Sequence, residues 1–361
     1  MNQPLPFYAK TALILLMLWL LLYGVYVGHA ILLPLGFSFL VAVLLRPVEK
    51  KLLQLKIPRI PAILITLLLA LLSLAGLLML ISTQVSSLVK DLPTMEKNLL
   101  GLWHNAQDFV QRSFHVDLQQ QQQMLQKAKE NSMEGMGNTV THLLGTLSAS
   151  LATVGLVPIY AFFFLYYRDL LIRFITYAFE QKHAQKVSEI VGEVRSVIQH
   201  YVTGVMTETA CVAVLNTLGL LILGVPYAIL LGLIAAILNI IPWIGGIIGA
   251  ILTALIAYTN TGKVSTLVWV LIVHAAVQFI DNHFFVPYLI GSKVKLNALV
   301  TLVIVFVGGA LCGIGGMFLS IPAIAICKVI FDRVDELRPW GMLLGDDTVK
   351  WIPRKTRRKS S

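Results

Sequence analysis

The sequence predicts an all-α integral membrane protein, a polytopic helical bundle of about eight spans. Of its 361 residues, 57% are hydrophobic and only 13% are charged. Two charge-free stretches, Pro226 to Tyr258 and Leu296 to Cys327, exceed the roughly 20 residues that a straight helix needs to cross a bilayer, and Gly and Pro residues interrupt both. Backbone groups at such interruptions must be satisfied by protein, water or ligand. Paired interrupted segments therefore indicate the binding site of a transporter.

Residues 1–83 predict the first three transmembrane helices. Thr11 to Leu45 contains no charged residue and is long enough for two short helices that turn near Gly28 to Ala30, and Pro61 to Ile81 supplies the third. A secretory signal peptide is the competing interpretation, because Lys10 precedes an apolar segment and Gly28-His29-Ala30 resembles a small-residue cleavage site. No polar mature sequence follows, which favours membrane helices.

Residues 84–142 predict a small external helical insert. Its first apolar residues follow the i, i+3, i+4, i+7 spacing of an amphipathic helix, and Pro93-Thr94 with Glu96 resembles the start of another. The glutamine run from Gln119 to Gln123 is interpreted as a solvated patch, either in a third helical stretch or at a flexible tip.

Residues 143–331 form the predicted core transport bundle, and residues 332–361 a basic cytoplasmic tail. Arg168 to His200 alternates apolar and charged residues at helical spacing, which predicts a helix in the membrane interface or beneath the bundle. Three arrangements of the two interrupted segments remain open: single broken crossings, re-entrant hairpins or full hairpins. They give eight, six or ten spans in total, and both segments must be of the same type if the tail is cytoplasmic.

The net charge of +10 reflects membrane orientation rather than a nucleic-acid partner. Basic residues concentrate in the N-terminal tail, in Arg46 to Arg59, in Arg168 to His200 and from Lys328 onward, whereas residues 84–142 are nearly neutral. Because cytoplasmic loops carry the excess of Lys and Arg, both termini are expected in the cytoplasm and the insert outside. The expected partner is the lipid bilayer.

Polar residues inside the spans are the candidate solute or ion path. His274, Gln278 and Asp281 lie on one helical stripe, although Asp281 and the adjacent Asn282 could instead cap the helix end. Glu208 is the only acid well inside a span, where cytoplasmic water could reach it or a basic residue could pair with it. Asn239 offers an amide three residues before Pro242, which suits a small polar solute or an ion.

A second set of residues marks the breaks in the helices. These are Gly and Pro residues, which could serve as hinges of a transporter or, alternatively, produce kinks and close packing of membrane helices. The candidate hinge positions are Pro242, Gly245, Gly246, Pro287, Gly291, Gly313, Gly315, Gly316 and Pro322.

No cofactor, metal or catalytic role is expected. The three cysteines lie within apolar segments without the spacing of a metal site, and no HExxH motif occurs.

Four stretches together resemble the autoinducer-2 exporter family, also called the PerM-like permeases: Pro158 to Leu171, Leu223 to Ile251, Gln278 to Val300 and Gly308 to Val329. The resemblance implies a multi-pass bacterial inner-membrane protein that forms homo-oligomers. It implies export of a furanone-type signal, autoinducer-2, or alternatively sodium(lithium)/proton antiport. A channel or passive scaffold remains a further alternative. The recurring family residues fall on Pro242, Gly245, Asp281, Asn282, Pro287 and Gly291.

Overall fold

The structure is a computed structural model that describes residues 6–91, 155–178, 184–241, 244–291 and 296–345, together with Asn98 and Gly101. Within these ranges the regular secondary structure is helical and contains no strand. Five helices are long and apolar enough to cross a membrane, and a bent pair makes a sixth candidate. The all-α polytopic bundle is therefore confirmed, with five or six long apolar helices where about eight spans were expected.

The helices are labelled in chain order, and the bundle is built around the fifth of them. A π-helical segment, Asp281–Ile290, continues α8 without a break, and a single 3₁₀ turn, Asp335–Leu337, separates the last two helices. The α-helices are α1 (Phe7–Gln54), α2 (Arg59–Lys90), α3 (Gly155–Tyr166), α4 (Arg168–Tyr177), α5 (Ala184–Ile222), α6 (Ala228–Asn239), α7 (Ile244–Thr261), α8 (Val264–Ile280), α9 (Ala298–Arg333) and α10 (Arg338–Leu344).

Helix α1 is one continuous helix of 48 residues, so the predicted turn near Gly28 to Ala30 is wrong. Neither of these residues has a positive φ that would reverse the chain, and His29 Nδ1 lies 2.6 Å from the Tyr26 carbonyl oxygen of the preceding turn. Glycine inside a helix costs only about 1 kcal/mol, which flanking apolar helix formers tolerate. A single helix that crosses a bilayer once has its two ends on opposite sides, so the continuity of α1 does not support placing both the N-terminus and the Arg46 to Arg59 loop in the cytoplasm. The cytoplasmic position of the N-terminus stays a prediction.

The predicted amphipathic helix from Arg168 to His200 is divided between two elements. Helix α3 bends by 62° into α4, which ends at Tyr177, and α5 begins at Ala184 and continues into the predicted span. At the bend, Arg59 from the start of α2 donates to the Leu165 carbonyl at 3.1 Å and forms a salt bridge with Asp169 at 3.0 Å. These contacts fasten the α1–α2 connection to the bend.

The first interrupted segment is an antiparallel hairpin of α6 and α7. A β-carbon on Gly249 would lie 3.1 Å from the Ala235 Cα atom, and one on Gly246 would lie 2.9 Å from Asn239 Oδ1. These pairings run in opposite directions along the chain, which excludes a single broken crossing. With 12 residues, α6 is about 18 Å long, less than the roughly 30 Å of hydrocarbon, so the hairpin has re-entrant dimensions.

The second interrupted segment, in α9, is also broken at a single point. Cys312 (φ −137°) and Gly313 (φ +62°, ψ −153°) depart from helical geometry. The halves on either side pack against each other, because a β-carbon on Gly308 would lie 2.6 Å from the Gly316 carbonyl oxygen. Both interrupted segments therefore consist of two helical halves in contact across a break.

Helix α5 is the centre of the bundle. Its residues Ile198, Tyr201 and Val205 form a buried cluster with Leu40 of α1, and Leu319 of α9 packs against the same cluster. Farther along α5, Leu220 packs with residues of α6, α7 and α8. This arrangement brings the first hairpin, α8 and the π-helical segment around one side of α5.

Two predicted domains lie largely outside the described residues. Of the insert at 84–142, the structure covers the end of α2, Asp91, Asn98 and Gly101, and it covers the C-terminal tail as far as Gly345. Where described, the insert side contacts the bundle through a hydrogen bond from Asn98 Nδ2 to the Thr259 carbonyl at 2.8 Å.

Candidate functional site

Three separate elements meet at the side chain of Asn239, the last residue of α6. Its Nδ2 atom donates to Glu208 Oε1 of α5 at 3.0 Å and to Asp281 Oδ2 of the π-helical segment at 2.9 Å. The two carboxylates are therefore separated by no more than two hydrogen-bond lengths. They are 73 residues apart in sequence, so only the folded chain brings them together.

Gln278 extends this cluster along α8. Its Nε2 atom donates to Asp281 Oδ2 at 3.2 Å and to Asn282 Oδ1 at 3.3 Å. Asp281 does not cap the helix end: its side chain points into the cluster, and no side-chain bond to a helix-end backbone group is formed. The capping alternative for Asp281 is therefore excluded, whereas the exposed Asn282 lies at the edge of the cluster.

The carboxylates are buried in a mainly apolar bundle. Asp281 is 2% exposed and Glu208 is 5% exposed. Among the described residues, no Lys, Arg or His forms a salt bridge with either one, so the pairing of Glu208 with a basic residue is not observed. Two like charges in such surroundings repel each other and lose hydration, and a cation bound between them would offset both costs.

Small residues of the first hairpin make room for the cluster. Gly246 of α7 faces Gln278 and Asn239, and any β-carbon at this position would collide with Gln278 Oε1. Gly245 is packed equally tightly against the Leu238 carbonyl. Glycine at both positions therefore allows α7 to approach α6 and α8 closely beside the carboxylates. Pro242 itself lies outside the described residues.

The π-helical segment places Asp281 at its first residue. Pro287 lies inside this segment and cannot donate a backbone hydrogen bond, and Gly291 ends the segment with its N–H bonded to the Val286 carbonyl at 2.9 Å. On the α5 side, Gly204 allows the Leu289 carbonyl to come close to the helix. Pro287 and Gly291 thus shape the segment that carries Asp281 but lie away from the carboxylates.

His274 is buried on the predicted stripe but forms no hydrogen bond to the cluster. Its Nδ1 atom bonds the Val270 carbonyl at 3.0 Å, one turn earlier in α8. The sequence analysis missed two further buried polar residues near this helix, Asn216 of α5 and Thr253 of α7. Asn216 could have been found, because it lies eight residues after Glu208 and so on the same face of α5.

The second interrupted segment contributes no side chain to the carboxylate cluster. Gly315 packs against Leu33 and Phe37 of α1, and Gly316 is buried against Gly308. Pro322 is buried within the second half of α9, and no atom lies near the position of a β-carbon on Gly313. These four residues shape and pack the helix.

Clusters of three or more metal-ligand side chains are absent from the part of the chain that the structure describes. No three His, Cys, Asp or Glu side chains there are close enough to hold a metal ion, and the three cysteines, Cys211, Cys312 and Cys327, are free thiols.

Comparison with known proteins identifies the family. The model of the AI-2E family transporter matches residues 15–336. The chain is 26% identical to the putative transport protein YrrI of Bacillus subtilis over 262 residues, 71% of each protein. It is 23% identical to the AI-2 transport protein TqsA of Escherichia coli, covering 93% of this chain and 96% of TqsA. The putative transport protein YhhT of E. coli is also 23% identical, over 90% of this chain and 91% of its own length.

The family match spans all of the helices that build the site, from most of α1 to the end of α9, and the relatives are named for transport. With several long apolar helices, the molecule is a multi-pass membrane protein. The chain belongs to the AI-2E family of transporters.

Proposed function

We propose that this protein exports a small polar solute of the autoinducer-2 type and couples export to the entry of H⁺ or Na⁺ at the Glu208–Asp281 pair. The observation that carries this proposal is the single Asn239 amide nitrogen that donates to both buried carboxylates. The solute class rests on membership in the AI-2E family and on the likeness to TqsA, whose name states AI-2 transport.

The carboxylate pair has the chemistry of a coupling site. A proton or a sodium ion that binds between the carboxylates removes their mutual repulsion, and its release restores that repulsion. Asn239 is a neutral donor that bonds both carboxylates, so the geometry of the pair persists when its charge changes. Binding and release of the cation thereby alter the force between α5 and the segment after α8.

The end of α6 favours a cation at the same place. Asn239 is the last residue of α6, and the carbonyl end of a helix carries a partial negative charge. Interrupted helices in carriers direct such ends at coupling ions. We propose that the short hairpin of α6 and α7 is the element that moves between states. Its glycine residues allow it to lie close to both α5 and α8, the helices on either side of the carboxylates.

Sodium(lithium)/proton antiport is the second candidate. The same carboxylate pair could exchange a metal cation for protons without any organic solute, because both ions compete for the same oxygen atoms. The two functions differ in one measurable property, which is whether an organic solute crosses the membrane together with the ion.

The test uses the full chain in proteoliposomes. Counterflow of labelled autoinducer-2 is compared with proton flux, each under an imposed pH or sodium gradient. Export predicts that solute flux and ion flux rise together, and that both Glu208→Gln and Asp281→Asn uncouple them. Glu189→Gln on the exposed surface of α5 is the matched control and should behave as wild type. Proton flux that depends on sodium but never on solute would replace export with antiport.

We propose that the protein works in the bacterial inner membrane as a homo-oligomer, with the tail after α10 in the cytoplasm. The first half of α1 supports a membrane or protein partner, since its large apolar side chains from Phe7 to Leu32 are mostly exposed. Native mass spectrometry from lipid nanodiscs measures the copy number. A single copy per nanodisc across protein concentrations would contradict the oligomer.

A further inference from the structure

A second layer of buried polar atoms lies about two helical turns from the carboxylate pair, toward the α5–α6 and α7–α8 connections. Three side chains carry atoms that have no hydrogen-bond partner among the described residues: Asn216 Oδ1, Thr253 Oγ1 and His274 Nε2. The residues are 3%, 1% and 7% exposed, respectively. Buried polar atoms of folded proteins are nearly always hydrogen-bonded, so three such atoms in one layer indicate a bound partner.

The packing of α5 against α8 places Asn216 and His274 on the facing sides of these two helices. On α5, Asn216 lies one turn from Val212 and one turn from Leu220. Val212 packs with Val277 of α8, and Leu220 packs with Val270 of α8. His274 lies between those two α8 residues, so it is at the level of Asn216.

Thr253 reaches the same level from α7. It lies one turn beyond Gly249, which contacts Ala235 of α6, and next to Ala254, which belongs to the cluster of Leu220 and Val270. Gly232 of α6 meets Thr217 of α5, the residue after Asn216. Apolar clusters thus close the polar layer on both sides along the helix axes.

The unpartnered atoms require hydrogen-bond donors. The Val270 carbonyl can only accept, so the Nδ1 atom of neutral His274 carries the proton and its Nε2 atom is an acceptor. Asn216 Oδ1 is also an acceptor, and the Thr253 hydroxyl can donate once and accept. Water supplies the missing donors and satisfies two to four such groups at once.

We propose that Asn216, Thr253 and His274 bind ordered water and form a proton-transfer site that supplies the Glu208–Asp281 pair. This inference rests on the proposed ion-coupled function and names H⁺ as the coupling ion. His274 is the residue in the layer whose side chain can both accept and release a proton, at Nε2. Its titratable neighbours on the surrounding helices are Glu208 and Cys211 of α5, Tyr258 of α7 and Asp281 after α8, and α6 carries none between Ala228 and Asn239.

The transfer has two steps. An excess proton that arrives in the water layer as hydronium binds His274 Nε2, leaves a neutral water molecule and forms the imidazolium ion, while Nδ1–H stays bonded to Val270. Nε2 then gives a proton to a neighbouring water, and relay along the waters protonates Asp281 Oδ1, which is buried and has no protein partner in the described ranges. The two residues lie seven positions apart, about 10 Å along the helix, a span for a few waters in series. His274 returns to the neutral ring, and the carboxylate gains one proton.

Three variants test the site in proteoliposomes. His274→Asn keeps a side-chain donor for Val270 but removes Nε2, and Asn216→Leu and Thr253→Val remove the other polar atoms at similar volume. Each variant should lower proton flux by about tenfold or more, a larger factor than its effect on solute counterflow, which needs no net proton movement. Thr259→Val is the matched control, because the Thr259 hydroxyl already bonds the Ile256 carbonyl. Proton flux at the wild-type level in His274→Asn and Asn216→Leu would overturn the site.

A second measurement does not depend on transport. Hydroxyl-radical footprinting with mass spectrometry labels side chains beside bound water, so Val273 and Val277 should be labelled in the wild type. Labelling should fall in the Asn216→Leu, Thr253→Val double variant. Absence of labelling in the wild type would refute the water site. Labelling without any solute-coupled ion flux would retain the water site and reject the proposed function instead.

Discussion

The two interrupted segments have the same sequence signature but different environments. The first, α6 with α7, ends at Asn239 and meets two carboxylates, and the glycine beside it faces Gln278. The second, within α9, breaks at Gly313. Its halves pack against each other through Gly308 and Gly316, and Gly315 packs against α1. Glycine-rich breaks in apolar segments therefore mark either a polar site or a packed bend, and the neighbouring helices decide which.

The two interrupted segments have different environments because different residues of α5 face them. Beside the first hairpin, α5 presents Glu208, whereas near α9 it presents the apolar residues Ile198, Tyr201 and Val205. A break next to a carboxylate can bind ions, and a break next to apolar side chains serves bending or close packing. Disruption of the first segment should therefore impair coupling, and disruption of the second should impair stability.

The largest expected effect comes from Asp281→Asn. The amide keeps size and hydrogen-bonding capacity but removes the charge, so ion-driven transport should fall by about 10- to 100-fold, as for other lost buried charged partners. Flux in proteoliposomes measures the effect. Ser320→Ala in α9, which removes a buried hydroxyl bonded to the Gly316 carbonyl at 2.6 Å, is the matched change in the second segment and should leave coupling intact. Wild-type flux with unchanged pH and sodium dependence in Asp281→Asn would reject the coupling role.

Gly308→Ala should reduce stability rather than coupling. The new methyl group would collide with Ser320 Oγ and lie 2.6 Å from the Gly316 carbonyl oxygen, which is backbone and cannot easily move. Overpacking of this kind costs about 1–3 kcal/mol. Thermal unfolding in detergent measures the loss. Gly76→Ala is the control, since no described atom outside the helix's own nearby backbone lies within 4 Å of its β-carbon position. Equal melting temperatures for both variants would show that the halves of α9 do not depend on this contact.

Gly246→Ala should reduce coupled transport more than stability. Its methyl group would meet Gln278 Oε1 and lie 2.9 Å from Asn239 Oδ1, and both are ends of flexible side chains that can turn away. Stability should change by less than in Gly308→Ala, while displacement of Asn239 from the carboxylates lowers coupled transport several-fold. Transport and thermal unfolding measured on the same sample test the contrast. A lower melting temperature with normal transport in Gly246→Ala would show that this glycine serves helix packing and not coupling.

The prediction with the smallest expected effect on function concerns the orientation of α1 in the membrane. Single cysteines at Tyr8, in the first turn of α1, and at Leu55, just after its last residue, are labelled with a membrane-impermeant maleimide in a background without the native cysteines. Because α1 is one helix, we expect the two positions on opposite sides, with Leu55 in the cytoplasm. If neither cysteine is labelled in intact cells, both positions lie in the cytoplasm. That result would support the cytoplasmic N-terminus predicted from charge and would require a turn within α1.

Sequence patterns were sufficient for the class of protein. Apolar length and sparse charge predicted the all-α membrane bundle, and intramembrane polar residues singled out Glu208, Asn239, Gln278 and Asp281, which the fold brings together. The class could be predicted because lipid penalises unsatisfied backbone and isolated charge wherever they occur in a chain, whereas the role of these four residues in transport stays a prediction. Helix periodicity also placed Gln278 and Asp281 on one stripe before any fold was known.

Tertiary structure decided the pairings and the shapes of the breaks. The meeting of Glu208 with Asp281 through Asn239 depends on three elements that are distant in sequence, and Gly246 comes close to Asn239 because α7 folds back along α6. The continuity of α1 was equally undetermined, because 35 uncharged residues suit one long helix or two short ones. Local physics sets which side chains must find partners, and the packing of whole helices sets which partners they find.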